Sequence, residues 1–444
     1  MALPPGPRTP AAFNIARLAM RPLETLQAWR ARYGDVFTVR FPVFGTGVYV
    51  SDPGAIRELF TGDQSDLLAG EANSFMAPVL GSNSLLVLDG QPHMRQRKLL
   101  LAPFHGSRVA GFRSVIREVA ERELATWRPG DRLVLRERMR TVTFEVIGRV
   151  VFGVTDRGRL ERLRAALVAV IDQSPLYMLT PWARRDLGRL SPGRRFTERM
   201  DTADALLREE IARRRGEPDL DEREDVLSLL LGAVDENGGR MTDTELRDEL
   251  FTMLAAGYET TATQLAFAFE LLLRTPAALQ RLREELATGE DDSYLDAVVK
   301  ETMRLRPVID AAERTLTQPR TILGWELPAG VKVYPAGALV QLRPDLYPEP
   351  LTFRPERFVD GSTESYSWIP FGGGIRRCLG AALAQTEITE VLRVAIPIAQ
   401  LRPVRDRPDP VVLRGVTLAP RYGVPVDVRS VTCREPRRRT ATVS

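Results

Sequence analysis

The segment Phe371-Gly-Gly-Gly-Ile-Arg-Arg-Cys378-Leu-Gly380 holds the residues best suited to chemistry. Three consecutive glycines remove side chains where the backbone must turn or pass close to something flat. Cys378 follows at the expected start of a helix, where free amides and the helix dipole stabilise an anion, so its thiol is expected to ionise readily. A thiolate among backbone N–H donors is a good axial ligand for iron, since those donors withdraw charge from sulfur and tune the potential. A lone cysteine also serves as a small buried apolar residue or as a nucleophile. For the nucleophile a partner base is scarce, because the chain has two histidines, His93 and His105. The spacing F-x-x-G-x-x-x-C-x-G favours the ligand: at this chain's own residue frequencies it arises with roughly 4 chances in 10,000.

A second group, Ala255-Ala256-Gly257-Tyr258-Glu259-Thr260-Thr261, sets small residues ahead of an acid and an alcohol. Glycine in a helix interior costs about 1 kcal/mol relative to alanine, so Gly257 needs a reason. Small residues at 256 and 257 let a planar cofactor and its bound dioxygen approach. They also serve a helix–helix contact, which is the better reading of Ala-Ala-Gly alone. Thr260 can bond back to the carbonyl of Ala256, opening the helix locally.

Composition limits what these groups can do. The chain has 444 residues, 44% hydrophobic and 27% charged, an ordinary globular balance. Two cysteines, Cys378 and Cys433, exclude a disulfide scaffold and a multi-cysteine zinc or iron–sulfur site. Two histidines exclude a His-rich centre, so any metal arrives inside a cofactor. With 62 basic against 58 acidic residues there is no case for a nucleic-acid partner. The Pro-rich start, residues 1–15, has no apolar run of signal or anchor length, and no stretch reaches 18 uninterrupted apolar residues. A soluble, cytoplasmic protein without a membrane anchor is expected.

The elements that must position these groups are mostly helical. The pattern predicts a helix over Ala16–Tyr33, a hairpin from Val36–Phe41 and Gly47–Ser51, an irregular apolar stretch over Leu67–Gly90, and helices from Pro92 to Val170. After an irregular zone at Pro175–Pro192, a helix runs to about Arg215. Thr242 with Glu245 forms a capping box opening a helix to Arg274, about 50 Å long at 1.5 Å per residue. A helix at Ser293–Leu305, short strands at Arg314–Leu323 and Val331–Tyr334, and a helix over Leu379–Ile396 complete the pattern. A single domain over 16–428 and a basic, disordered tail over 429–444 are expected.

On the cysteine loop and four further motifs in order, the chain resembles the cytochrome P-450 family of haem-thiolate monooxygenases, across roughly Tyr33 to Val424. The resemblance implies a mainly α fold with small β-sheets, with haem b (iron protoporphyrin IX) held between a long central helix and the cysteine-loop helix. By it, Cys378 is the iron ligand, and Phe371, Gly374 and Gly380 shape its loop. Ala256 and Gly257 line the oxygen groove, Thr260 donates a hydrogen bond to oxygen bound at iron, and Glu259 helps deliver protons. Family members that use peroxide directly often lack this acid–alcohol pair. The H-x-x-x-R of His93 and Arg97, with Arg376 and Arg314, matches positions that hold the haem propionates. Glu301-Thr-Met-Arg304 and Arg357 of Phe353-Arg-Pro-Glu-Arg-Phe match a structural triad. Each lone arginine is otherwise an ordinary surface charge, and Glu301–Arg304 alone an ordinary i,i+3 pair.

Family analogy puts the substrate wall at Phe75, Met76, Leu80, Ile171, Tyr177, Met178, Val308 and Ile309, residues that serve equally as core. Their apolar character implies a hydrophobic small molecule, a terpenoid, fatty acyl or polyketide-like compound of secondary metabolism, hydroxylated or epoxidised with O2. No flavin or nicotinamide fingerprint occurs. The expected electron donor is therefore a separate ferredoxin or flavodoxin-type protein with an NAD(P)H reductase, docking on Arg95, Lys98 and Arg377 of a monomer. A haem-thiolate peroxygenase or isomerase, and a non-catalytic haem or lipid binder, are the alternatives.

Overall fold

The computed structural model describes residues 3–432 except 43, 44, 105, 174–176, 178, 179, 187, 189, 190, 290, 360, 362 and 363. Among the described residues, helices of eight or more residues are numbered here: α1 Ala11–Met20, α2 Pro22–Tyr33, α3 Pro53–Thr61, α4 Gly90–Leu101, α5 Arg113–Leu124, α6 Leu135–Val150, α7 Arg157–Ile171, α8 Pro192–Arg215, α9 Asp243–Arg274, α10 Pro276–Thr288, α11 Ser293–Leu305 and α12 Ala381–Ile398. The strands are β1 Val36–Phe41, β2 Gly45–Val50, β3 Leu67–Leu68, β4 Arg132–Val134, β5 Arg314–Leu316, β6 Arg320–Ile322, β7 Trp325–Leu327, β8 Lys332–Pro335, β9 Ala399–Pro403, β10 Val411–Arg414, β11 Thr417–Pro420 and β12 Pro425–Val431.

α9 is the axis. Thr242 caps it, its hydroxyl accepting from the Glu245 amide while the Glu245 carboxylate accepts from the Thr242 amide, so two orphan donors are satisfied reciprocally. Its stretch from Thr261 to Glu270 is buried on every side. Its N-terminal half packs with α6, α7 and α8 around Leu246, Leu250 and Leu254. Its C-terminal half packs with α5, α10, α11 and α12 around Leu265, Phe267 and Phe269. Most helical stability here comes from this tertiary burial rather than from propensity.

A five-stranded sheet, ordered β1-β2-β8-β5-β3, lies beside the helices. Phe37, Tyr49 and Tyr334 are register partners across β1, β2 and β8 and stack at 5.4 and 4.9 Å. Such cross-strand aromatic pairs pin register.

Three expectations change. The single helix over Ala16–Tyr33 is two, because Arg21, forced extended ahead of Pro22 (φ −148°), ends α1. The Pro-rich start does not stand apart: the Pro5 carbonyl accepts from the Thr38 amide at 3.0 Å, the Pro4 carbonyl from the Thr38 hydroxyl at 2.8 Å, and Leu3 packs on the sheet. The tail boundary also moves, since β12 pairs with β9 through Val431, past Arg429. Cys433 and the rest of the expected tail lie outside the described residues.

Candidate active site

The cysteine loop owes its glycines to a neighbouring helix. Gly372 and Gly374 have φ of +67° and +62°, conformations glycine adopts without strain. A Cβ on Gly374 would lie 1.8 Å from the Phe60 carbonyl oxygen at the end of α3, and one on Gly373 2.6 Å from the Phe60 ring. Within the protein, the close approach of Gly373 and Gly374 is to Phe60 of α3. The Phe371 carbonyl accepts from the Cys378 amide at 3.0 Å and so closes the loop, while the Phe371 ring meets Trp368 edge-on at 6.3 Å.

α12 starts at Ala381 with Gly380 as its cap, so Cys378 precedes the helix by three residues. A Cβ on Gly380 would meet nothing within 4 Å. Cys378 is exposed at its tip yet enclosed by protein around its base. That enclosure pushes the thiol up, against the pull of the Gly380 amide, Arg377 and Arg97.

Four basic side chains converge beside this loop. His93 on α4 is 4% exposed, and its Nε2 is buried without a partner. Burial, then Arg376 and Arg97, drive its pKa down to about 4. Arg97 donates to the Arg377 carbonyl at 2.8 Å. Arg376 donates to the carbonyls of Leu85 (2.9 Å) and Leu88 (2.6 Å) and pairs with Asp89 at 3.0 Å. Arg314 is 3% exposed; it donates to the Glu313 carbonyl at 2.7 Å and has a buried, unpartnered Nε. Burial lowers both Arg314 and Arg376 to about 10. The buried Arg314, the half-buried Arg97 and Arg376 and the His93 imidazole have one carboxylate among them in the described residues, Asp89, so the cluster has room for added negative charge. This donor set fits the two carboxylates of a haem beside a thiolate, as the orphaned His93 Nε2 and Arg314 Nε attest.

The notch in α9 forms, but not as expected throughout. Thr260 donates to the Ala256 carbonyl at 2.6 Å, and Ala256 is exposed in the middle of an otherwise buried helix. Gly257 turns the other way: its Cβ would meet Ile147 Cδ1 of α6 at 2.8 Å, so it serves the α6–α9 contact. Leu379, next to Cys378, and Ala255, next to Ala256, both pack against the extended apolar cluster that contains Leu250 and Leu254. Glu259 is held by two arginines of α6, Arg136 through Oε1 and Arg140 Nε at 3.1 Å from Oε2.

Glu301 and Arg304 are fully buried and bidentate, at 2.6 and 2.8 Å, and Arg357 Nε adds a third contact at 3.1 Å. Arg304 also donates to the carbonyls of Gln341 and Pro350 at 2.8 Å. Gln341 in turn accepts from the Ile369 amide at 3.0 Å, which ties this triad to the segment entering the cysteine loop.

The expected substrate wall divides. Phe75, Met76 and Ile171 are half-buried, and Ile309 is 42% exposed. Leu80 and Val308 are buried, and Tyr177 stacks on Phe196 at 3.9 Å with its hydroxyl on the Pro192 carbonyl, so these three are core. Met178 lies outside the described residues. Of the expected docking face, Arg95 is paired with Asp235 and Glu245 (2.6 and 2.7 Å) and Lys98 with Glu236 (2.5 Å).

Sequence reasoning missed several residues. Asp89 accepts from the amides of Gly70 and Glu71 (2.8 and 2.7 Å) as well as from Arg376. Glu249 accepts from the Leu85 amide at 2.8 Å. Glu387 is 2% exposed with Oε1 unpartnered, and burial drives its carboxyl well up. Only Glu387 left a trace in the sequence: an acid on the apolar face of α12, one turn from both Leu383 and Val391.

Comparison with known proteins agrees with this arrangement. A protein-family model described as "Cytochrome P450" matches residues 3–411. A Mycobacterium tuberculosis (strain H37Rv) protein named for cytochrome P450 135B1 is 40% identical over 440 residues, covering 97% of this chain and 92% of its own. Cytochrome P450 137 of the same organism is 38% identical over 425 residues, covering 94% and 88%. Among solved structures, retinoic acid-bound cyanobacterial CYP120A1 superposes with a TM-score of 0.81 at 24% identity, over 97% of this chain and all of that one. The cytochrome P450DA haem domain gives 0.84 at 22%, over 97% and 98%. The two structures establish likeness of fold.

Proposed function

The chain belongs to the cytochrome P450 family of haem-dependent monooxygenases, and we propose that it inserts one oxygen atom of O2 into a hydrophobic small molecule, with Cys378 as the iron ligand. The carrying observation is the convergence of His93, Arg97, Arg314 and Arg376 on one side of Cys378, with only Asp89 to balance them. Haem b, the family's cofactor, supplies activation of O2 at iron when bound.

The chain's own residues do the rest. Arg97, Arg314 and Arg376 offer charge-assisted donors to two carboxylates, and the His93 Nε2 is a further hydrogen-bonding group. Cys378, raised by its enclosure in the free protein, loses its proton when a cation neutralises the sulfur. The Thr260 hydroxyl donates to the Ala256 carbonyl, and a hydrogen bond to bound oxygen would take its proton from that carbonyl. Glu259, next in sequence, is the acid placed to pass protons inward from α6.

Electrons come from a redox partner, as in the family. The donor we propose is a separate ferredoxin or flavodoxin-type protein with an NAD(P)H reductase. The half-buried apolar residues Phe75, Met76 and Ile171 support an apolar substrate of terpenoid, fatty acyl or polyketide type.

The test is the absorbance of the reduced carbon monoxide complex, which reports thiolate ligation, followed by turnover with NAD(P)H and a surrogate ferredoxin system. Product formation dependent on that chain is expected. Turnover with peroxide alone would overturn the reading in favour of a peroxygenase.

A further inference from the structure

The tyrosine-bearing face of the large sheet ends in polar groups without partners. Phe37, Tyr49 and Tyr334 stand opposite one another across β1, β2 and β8, and β5 pairs with β8 as Arg314–Val333 and Thr315–Lys332. The Ala312 amide donates to the Pro335 carbonyl at 3.1 Å, which continues that register and sets Glu313 opposite Tyr334. Side chains alternate along a strand, so Tyr49, Glu313, Thr315, Lys332 and Tyr334 share one face. Arg314 takes the other, over the Phe60 ring at 5.6 Å.

Thr315 is 6% exposed and its Oγ1 is buried without a partner, as is Glu313 Oε2. Tyr49 and Tyr334 are 4% and 5% exposed, and neither hydroxyl is bonded to a described residue. Buried polar groups are nearly always satisfied, so these orphans on one face call for a partner that the chain itself does not supply. Burial raises both phenols, and Asp310 and Glu313 raise them further, so the two carboxyls lie beside the hydroxyls. Asp310 keeps accessible surface although protein encloses it; that surface is therefore internal.

The charge here is negative on balance. Lys332 lies 3.7 Å from Glu313 and also donates to the Ala72 carbonyl at 3.0 Å, while Asp310 has no ion pair among the described residues. Burial lifts Asp310 to about 6 and Glu313 to about 7, a cost that a cation in contact would offset. The cluster also adjoins the expected substrate wall at both ends. Ile309, 42% exposed, directly precedes Asp310, and Ala72, held by Lys332, lies three residues before Phe75.

We propose that Tyr49, Asp310, Glu313 and Tyr334 bind a cationic nitrogen group, bearing N–H donors, at one end of an otherwise apolar substrate. This rests on the reading of an apolar substrate given above and narrows it. A free fatty acid would set its carboxylate against two carboxyls, whereas a cationic head brings donors to orphaned oxygens and countercharge to buried acids.

Calorimetric titration of the haem-loaded protein with decylguanidinium, decanol and decanoate, each below its micellar concentration, tests it. The guanidinium has no lone pair for iron, so its binding reports the head-group site. It is expected to bind at least ~10-fold tighter than decanol, with decanoate weakest. Asp310→Asn/Glu313→Gln should abolish that preference and leave decanol binding unchanged. Tyr49→Phe, which keeps the ring stack and deletes only a hydroxyl, should lower the preference by ~3-fold. Haem absorbance checks that each variant is folded. Equal affinities for the three heads, with decanol still shifting the spin state of the iron, would overturn the proposal and leave the apolar cavity standing. A preference that survives in both variants would also overturn it, since the attraction would then lie elsewhere. Binding by none of the three probes would overturn the cavity reading together with the proposal.

Discussion

Glu259 of α9 lies 3.1 Å from Arg140 of α6, and its other oxygen pairs with Arg136 one turn earlier on the same helix. The acid adjoining Thr260 is therefore not free in the groove; it is held toward the α6 side. Glu137 and Asp172, both about half exposed, contact the same arginines, so the network reaches solvent. For a proton to pass inward, the carboxylate must exchange an arginine for a water or for Thr260.

Replacing the acid isolates this step. Glu259→Gln keeps the shape and removes the proton carrier, so product formation should fall about 10²-fold. The reduced carbon monoxide spectrum should be unchanged, as the residue does not touch the cysteine loop. Undiminished turnover would show that protons reach the site by another path.

The triad and a surface pair of the same charge make a contrast in stability. Glu301 and Arg304 are wholly buried, so Arg304→Gln removes a bidentate partner in the core, leaves Glu301 only Arg357 and the Arg354 amide, and should cost about 3 kcal/mol. Arg164→Gln opposite Glu161, a pair exposed on both sides, should cost under about 0.5 kcal/mol. Chemical denaturation midpoints of the two variants measure the difference. Comparable losses would mean that the triad is not the brace between α11 and the segment entering the cysteine loop.

Two glycines of the candidate site should behave oppositely. Gly257→Ala meets only the tip of the Ile147 side chain, which can turn aside, while the helix gains about 1 kcal/mol of propensity. Near-neutral stability and an unchanged haem spectrum are expected. Gly374→Ala sets a Cβ against the Phe60 backbone at positive φ, where nothing can yield cheaply. It should destabilise by more than about 1–3 kcal/mol and reduce haem retention. Equal outcomes would reject the assignment of Gly257 to helix packing.

These glycines also show where sequence is a sufficient guide and where it is not. The capping box of Thr242 and Glu245, the Glu301–Arg304 spacing and the back-bond from Thr260 to Ala256 are local, and each lies within four residues, so reading the chain recovers them. What Gly257 and Gly374 touch, Ile147 and Phe60, lies more than 100 and 300 residues away in sequence, and no spacing within their own segments encodes it. Separations of more than 100 residues also hid the arginines on Glu259 and the loop on Glu249, and the amides on Asp89 come from 18 and 19 residues upstream. The break at Arg21 is local and legible in Pro22, which disfavours a helical Arg21 whatever the periodicity around it.

Acid should weaken the cofactor-free protein through His93. Its folded pKa of about 4 lies below the ordinary 6.5, chiefly through burial, so the unfolded chain binds the extra proton between those values. Stability contributed by the neutral imidazole is present above pH 6.5 and lost as pH falls toward 4. His93→Gln should flatten that part of the pH–stability curve in urea denaturation. A curve as steep as the parent's would place the acid sensitivity elsewhere.

The opposite slope belongs to Glu249. This carboxyl lies on α9 at 1% exposure, and burial raises it to about 8, opposed by the Leu85 amide and reinforced by Asp248 and Glu245. Leu85 donates its amide to Glu249 and offers its carbonyl to Arg376, so one residue couples α9 to the cysteine loop. The folded state holds a proton that the unfolded chain releases near 4.5, hence the contribution is complete below pH 4.5 and disappears as pH rises through 8. Between those limits stability should decline by up to about 1.4 kcal/mol per pH unit. Glu249→Gln, which keeps an acceptor for the Leu85 amide but cannot ionise, should remove the decline while leaving haem retention at pH 7 intact. If the variant loses haem at pH 7 yet keeps the slope, Glu249 acts as a charged strut and the carboxyl is not the titrating group.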